Sequence, residues 1–199
     1  PGGCVYKALF TYLSGKPDGP YFSEHPELFY DSWLVCMSSE WEDYVRGMPM
    51  QAVFRREVME PLCAESVKQL KALPEGYSLT PFTPAIFEAH PFGHGENYAD
   101  FGEFSERGAG AAVLYNGQVV SVASSFLKFK DQVELDLCTD PGHRKRGLAD
   151  HCTAEVMRQC SGKGLTIHWD AQNRISAELA KGHGFKTLTE YAVYCLKKN

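Results

Sequence analysis

The sequence predicts an α+β protein, with a mixed, mostly antiparallel sheet flanked by helices and a helix-rich region ahead of it. Three observations carry this. Apolar runs at strand length cover Ala111 to Tyr115, Gln118 to Phe129 and Gln132 to Thr139, joined by tight turns. Beyond Thr139 helical stretches alternate with single strands, and strands followed by such alternation indicate a mixed sheet. At 199 residues, 44% apolar and 23% charged, the chain can bury a core and has an ordinary globular balance.

Taken in order, Ser23 to Leu73 shows helical spacing. Trp33, Met37 and Trp41 fall at i, i+4, i+8, Val58, Leu62, Val67 and Leu70 mark a later amphipathic piece, and Pro49 and Pro61 punctuate. The aromatic stripe reads as core, or as part of an acceptor pocket. The chain is accordingly divided into residues 1–73 and 74–199. Leu73 to Pro81 is a linker leading into a first strand, Pro84 to Ala89 a short helix, and Pro91 to Gly95 a loop. Asn116-Gly117 is the turn of a hairpin within Gly110 to Phe129. A helix from Gly147 to about Cys160 sets Leu148, Cys152 and Val156 on one stripe. Leu165 to Trp169 is a strand, Asn173 to Lys181 a helix, and Lys186 to Leu196 a closing strand or hairpin.

Composition narrows the function. Net charge is −5, so the chain as a whole is no nucleic-acid binder. Seven cysteines are scattered and never spaced Cys-x-x-Cys, which reads as reduced thiols in a cytoplasmic protein. No run approaches the ~18 apolar residues of a membrane span, and no signal-peptide pattern opens the chain.

Against that acidic background, Asp140-Pro141-Gly142-His143-Arg144-Lys145-Arg146-Gly147-Leu148-Ala149 stands out. It follows an extended segment, Val133 to Thr139, and opens a helix. The first amides of a helix have no partner inside it, and with the positive end of the helix dipole they form a socket for phosphate. Gly147 allows close backbone approach, Ala149 keeps the first turn narrow, and Arg144, Lys145 and Arg146 stand beside the socket. The amides from Lys145 through Asp150, Leu148 included, are the expected grip on a diphosphate.

Arg144-x-x-Gly147-x-Ala149 after a strand resembles the acetyl-coenzyme A signature of the GNAT superfamily of N-acetyltransferases. Downstream, Trp169-Asp170-Ala171-Gln172-Asn173 through Gly184-Phe185 resembles the same superfamily's strand–helix–Gly-Phe element. With the hairpin upstream, the resemblance covers roughly Pro74 to Leu196, and it is most similar to the bacterial branch that includes zwittermicin-resistance acetyltransferases. It implies acetyl-coenzyme A as cofactor and a small molecule with a primary amine as acceptor. Leu137, Cys138 and Thr139 would then pair their backbone with the pantetheine amides, as an added strand does. Asn173 corresponds to a cofactor-contacting asparagine, and equally suits a helix N-cap. Ser176, one turn on, would touch the cofactor arm or simply be a tolerated small residue. The region ahead of the domain would be a companion that shapes the acceptor site or makes a dimer contact, which leaves a homodimer open.

Acyl transfer to an amine needs a proton acceptor near a polarised thioester. Glu134 and Asp136 share one face of their strand, lining either a cavity or the solvent side of the sheet. Both would favour a cationic acceptor. His168 ends its strand five residues before Asn173 and, with an ordinary pKa near ~6.5, is either a base or a satisfied histidine. One position departs from the family pattern. A tyrosine common seven residues after the asparagine is Ala180 here, so either the thiolate leaves without a protein acid or a group such as Cys138, Thr139, Tyr191 or Tyr194 protonates it. That gap keeps a second reading open, a coenzyme A-binding module without turnover. His90 and His94 have metal-like spacing only on a helix; Pro91 and Gly93 argue against one, and no metal site is expected.

Overall fold

The computed structural model describes residues 4–7, 10–30, 32–61 and 69–197. In chain order the elements are β1 (Cys4–Lys7), β2 (Phe10–Ser14), α1 (Gly19–Glu24), β3 (Trp33–Cys36), α2 (Ser39–Arg46), β4 (Met50–Pro61), β5 (Tyr77–Pro81), α3 (Pro84–Glu88), α4 (Phe101–Arg107), β6 (Gly110–Tyr115), β7 (Gln118–Phe129), β8 (Gln132–Thr139), α5 (Leu148–Gly162), β9 (Thr166–Ala171), α6 (Arg174–Gly182) and β10 (Phe185–Leu196). Two compact units divide the chain, Pro1–Glu57 with Thr189–Asn199, and Val58–Leu188. The chain passes from one to the other within β4 and again within β10.

In the first unit β1 runs antiparallel to β2, β2 parallel to β3, and β3 antiparallel to β10 through Val35↔Val193 and Leu34↔Tyr194. Trp41, Phe22, Phe29, Leu13, Leu34 and Tyr194 are buried together. The Trp41 indole donates to the Ser14 carbonyl at 2.9 Å.

The region before Pro74 differs from the helix-rich expectation, for it holds strands β1 to β4 beside two short helices. Trp33, Met37 and Trp41 do not share a helix: Trp33 opens β3, Met37 lies in the bend after it, and Trp41 is in α2. Trp33-Leu34-Val35-Cys36 is an unbroken apolar run, and such a run carries no alternation to set against helical spacing. Val58 lies in β4, while Leu62 and Val67 fall outside the described residues.

In the second unit, β5, β6, β7 and β8 form an antiparallel meander, and β9 pairs parallel to β8. Asn116 and Gly117 have φ of 50° and 79°, the left-handed pair that a two-residue hairpin turn of matching twist requires. Leu148, Cys152, Val156 and Cys160 of α5 are buried against Ala123, Val133, Leu135 and Ile167. A second cluster, Phe82, Phe87, Tyr98 and Phe104 with Ala112 and Val122, involves α3 and α4. Since residues alternate along β8, Val133 and Leu135 serve the α5 cluster, and Glu134, Asp136 and Cys138 share the other face.

Candidate functional site

The site begins where β8 and β9 part. Their register comprises Gln132↔Thr166, Val133↔Ile167 and Glu134↔His168, and among the described residues no further partners join them. From Leu135 to Thr139 β8 keeps its ladder with β7 alone. Two groups lie off that ladder. The Leu137 amide donates to the Asp136 carboxylate at 2.8 Å, and the Thr139 carbonyl accepts from Arg144 Nε at 3.1 Å. The Cys138 carbonyl instead accepts from the Ser121 hydroxyl at 3.3 Å, so of the three expected cofactor partners Leu137 and Thr139 are the ones aimed at the opening.

The loop after β8 follows from its sequence. Asp140 caps it, accepting from the Gly142 amide at 2.8 Å, while the His143 amide bonds the Asp140 carbonyl at 2.9 Å. Lys145 then takes φ of 61° and Gly147 φ of 75°. Left-handed residues alternating with others in a tight turn set neighbouring amides toward one point, an arrangement that suits anions. No side chain caps α5 at Gly147, and its first backbone bond is His151 to the Gly147 carbonyl, 3.4 Å. The amides of Leu148 and Ala149 therefore lie ahead of the helix ladder. A Cβ placed on Gly147 would meet nothing within 4 Å, so the space above the loop is open. Arg144, Lys145, Arg146 and Gly147 are exposed, and Leu148 is buried as an anchor.

Asp150 turns its carboxylate away. His183, 2% exposed at the end of α6, holds Asp150 Oδ1 through Nε2 at 3.1 Å. That contact ties the first turn of α5 to the far end of α6. Asn173 caps α6, its side chain accepting from the Ser176 amide at 3.0 Å, and the Ser176 hydroxyl accepts from the Trp169 indole at 2.9 Å. Free amides, an open loop and an unpaired strand edge together fit a diphosphate with an amide-bearing tail. Asn173 and Ser176 brace β9 against α6 beside it.

Glu134 and His168, register partners on parallel strands, share the face that carries Asp136. His168 Nε2 is buried with no hydrogen-bond partner. Above that face lies a residue the sequence reading treated only as a rejected metal ligand. His94 is 2% exposed; its Nδ1 stands 2.7 Å from Ser124 Oγ and its Nε2 3.5 Å from Asp136 Oδ2. Ser124 and Asp136 are themselves partners across β7 and β8. Burial holds the His94 imidazole below its ordinary pKa of 6.5, against the opposing pull of the Asp136 charge. The fold brings His94 there through a tight loop, with φ of 42° at His90, 57° at Phe92 and 95° at Gly95. The signal in the sequence was Ser121, Ser124 and Ser125 within an otherwise apolar strand, because buried hydroxyls must find partners. They find Thr139, His94 and Tyr98.

The remaining proton-donor candidates separate. Cys138 lies on the Asp136 face, its thiol pushed up by burial and by the Asp136 charge. Tyr191 accepts from Arg56 Nε at 3.1 Å and Tyr194 donates to Glu42, all within the first unit. Ala180 is fully buried in the α5 cluster. Among the described residues no group of three or more His, Cys, Asp or Glu is placed to hold a metal ion, and no helix is long and apolar enough to cross a membrane.

Fold and site together define an α+β protein whose sheet opens between two parallel strands, with an uncapped, open helix start after the first of them. The chain belongs to the GNAT acetyltransferase family, whose model matches residues 4–194. It is 32% identical over 144 residues to the uncharacterized N-acetyltransferase YdfB of Bacillus subtilis, a match covering 65% of this chain. The matched region spans about half of that relative, 52% of its length. A GCN5-related N-acetyltransferase-like protein from Streptococcus suis superposes with a TM-score of 0.77 at 24% identity, over 98% of this chain and 83% of that one. A GCN5-related N-acetyltransferase from Sphaerobacter thermophilus gives 0.67 at 13% identity, over 96% and 75%. At those identities the two structures share the fold.

Proposed function

We propose that this protein transfers the acetyl group of acetyl-coenzyme A to the primary amine of a small, cationic molecule. The observation that carries the reading is one face of β8 and β9, where Glu134, Asp136 and His168 meet at the point where the strands part. When bound, acetyl-coenzyme A supplies an activated acyl thioester. The amides of Lys145 to Ala149 hold its diphosphate, screened charge from Arg144, Lys145 and Arg146 assists, and the Leu137 carbonyl and Thr139 amide, beside the engaged Leu137 amide and Thr139 carbonyl, are offered to its arm. An incoming ammonium is drawn to Glu134 and Asp136, which suits a cationic, antibiotic-like amine as acceptor. Asp136, whose side chain is 54% exposed, takes the amine's proton on a carboxylate oxygen. Cys138 Sγ keeps its proton at neutral pH and lies on the same face as the reserve donor.

Release of free thiol from acetyl-coenzyme A over a panel of small amines tests the reading, alongside calorimetric titration of the cofactor. Turnover with at least one cationic amine is expected, falling about 100-fold in kcat for Asp136→Asn. No binding of the cofactor sinks the proposal. The buried Ala180, at the position where the family pattern commonly has a tyrosine, favours a second reading as a coenzyme A-binding module. Binding without turnover on any amine would select it.

A further inference from the structure

We infer that His94 is a positioning residue for Asp136: it donates Nε2–H to that carboxylate, with Ser124 fixing the tautomer, and so holds Asp136 aimed into the opening between β8 and β9. The inference rests on the acetyl-transfer reading for the role of Asp136, and on geometry for the contact itself.

Three observations converge. The imidazole is enclosed, with 1% of its side chain exposed against 54% for Asp136, so it reaches the cleft only through the carboxylate. Nε2 is buried and lacks a hydrogen-bond partner within normal distance, and Asp136 Oδ2 at 3.5 Å is the charged group facing it. A modest rotation of an exposed carboxylate closes that gap, and such bonds commonly tighten when a ligand excludes water. On the other side Nδ1 lies 2.7 Å from Ser124 Oγ. A serine hydroxyl can donate or accept, but a carboxylate only accepts. Were the proton on Nδ1, two lone pairs would face each other between Nε2 and Asp136. With the proton on Nε2, Ser124 donates to Nδ1 and every atom is matched.

The backbone reinforces the orientation from below. The Leu137 amide donates to Asp136 Oδ1, leaving Oδ2 for His94. Ser124 stands opposite Asp136 in the β7–β8 register, so serine and carboxylate are fixed by the sheet and the imidazole bridges them. His90 Nδ1 lies 3.3 Å from the His94 carbonyl, and Gly95 holds a left-handed turn where a Cβ would meet the Phe87 ring at 3.0 Å. The loop thus has little freedom to carry His94 elsewhere.

Two measurements on the intact protein test this. Long-range ¹⁵N–¹H spectra of histidine-labelled protein, with His94 assigned by its loss in His94→Gln, are expected to show the Nε2–H tautomer and a shifted Nε2 resonance in Asp136→Asn. An Nδ1–H tautomer overturns the inference, whatever the activity. In the thiol-release assay His94→Phe should lose roughly 30-fold in kcat with KM for acetyl-coenzyme A unchanged, and His94→Gln, whose amide can still donate, should lose clearly less. Equal losses in the two variants, or none in either, overturn it as well. Absence of turnover in the wild-type protein would instead refute the transferase reading, and the tautomer would still decide the contact.

Discussion

Glu134 and His168 are the last register partners of β8 and β9, and both side chains stand on the face that carries Asp136. Sheet geometry makes them a pair at the apex of the opening, two residues deeper than Asp136. In the proposed reaction Glu134, at the apex, binds the acceptor's positive charge while Asp136 takes its proton. Glu134→Gln, which removes the charge and keeps the shape, should therefore raise KM for a cationic amine on the order of tenfold, with a smaller change in kcat. A steady-state series over amine concentration checks it. A kcat loss as large as that of Asp136→Asn would make Glu134 the proton acceptor instead.

The anion socket makes a separate prediction. Gly147 has φ of 75° and open space where a Cβ would go, so Gly147→Ala meets no protein atom. The left-handed backbone costs alanine about 1 kcal/mol, a small shift in melting temperature. The methyl occupies the volume above the exposed amides, and KM for acetyl-coenzyme A should rise at least about tenfold while kcat at saturation stays close to wild type. Calorimetry showing unchanged affinity would remove the loop from the binding site.

What was legible in the sequence divides along a physical line. The hairpin at Asn116-Gly117, the helix opening at Gly147 and the cap at Asn173 are local features, set by residues close together in the chain, and each stands where its pattern places it. The face shared by Glu134 and Asp136 follows from strand alternation alone. The first unit was not legible, because β3 and β10 pair residues more than 150 positions apart in the chain and the apolar run Trp33-Leu34-Val35-Cys36 carries no alternation. His94 was missed for a related reason. Its partners, Ser124 and Asp136, come from two other elements, and only the closed sheet brings them to it.

His94 also marks the pH dependence of stability. Burial lowers its folded pKa below the ordinary value of 6.5, so the native protein keeps it neutral where the unfolded chain binds a proton. Its stabilising contribution is complete above pH 6.5 and is lost as pH falls through the window beneath that value. Thermal unfolding followed from pH 7.5 to 5 should show stability declining in that window, with a shallower slope for His94→Gln. Parallel slopes for the two proteins would mean that His94 titrates alike folded and unfolded.

Ala180 decides whether the missing tyrosine can simply be put back. The residue is fully buried on α6, beside Ala177 and in the cluster that holds Trp169, Phe185 and Leu148. Its side chain faces the core rather than the opening, because Ala177 and Ala180 lie three apart on the buried stripe of the helix. A tyrosine there must displace close-packed neighbours and bury a hydroxyl, with an overpacking penalty of about 1–3 kcal/mol. Ala180→Tyr is therefore expected to melt lower and to gain no kcat. Cys138→Ala, which removes the thiol on the Asp136 face, should lower kcat several-fold without that loss of stability. Increased turnover in Ala180→Tyr would show that α6 can turn this position toward the cleft, and would return the proton donor to the helix.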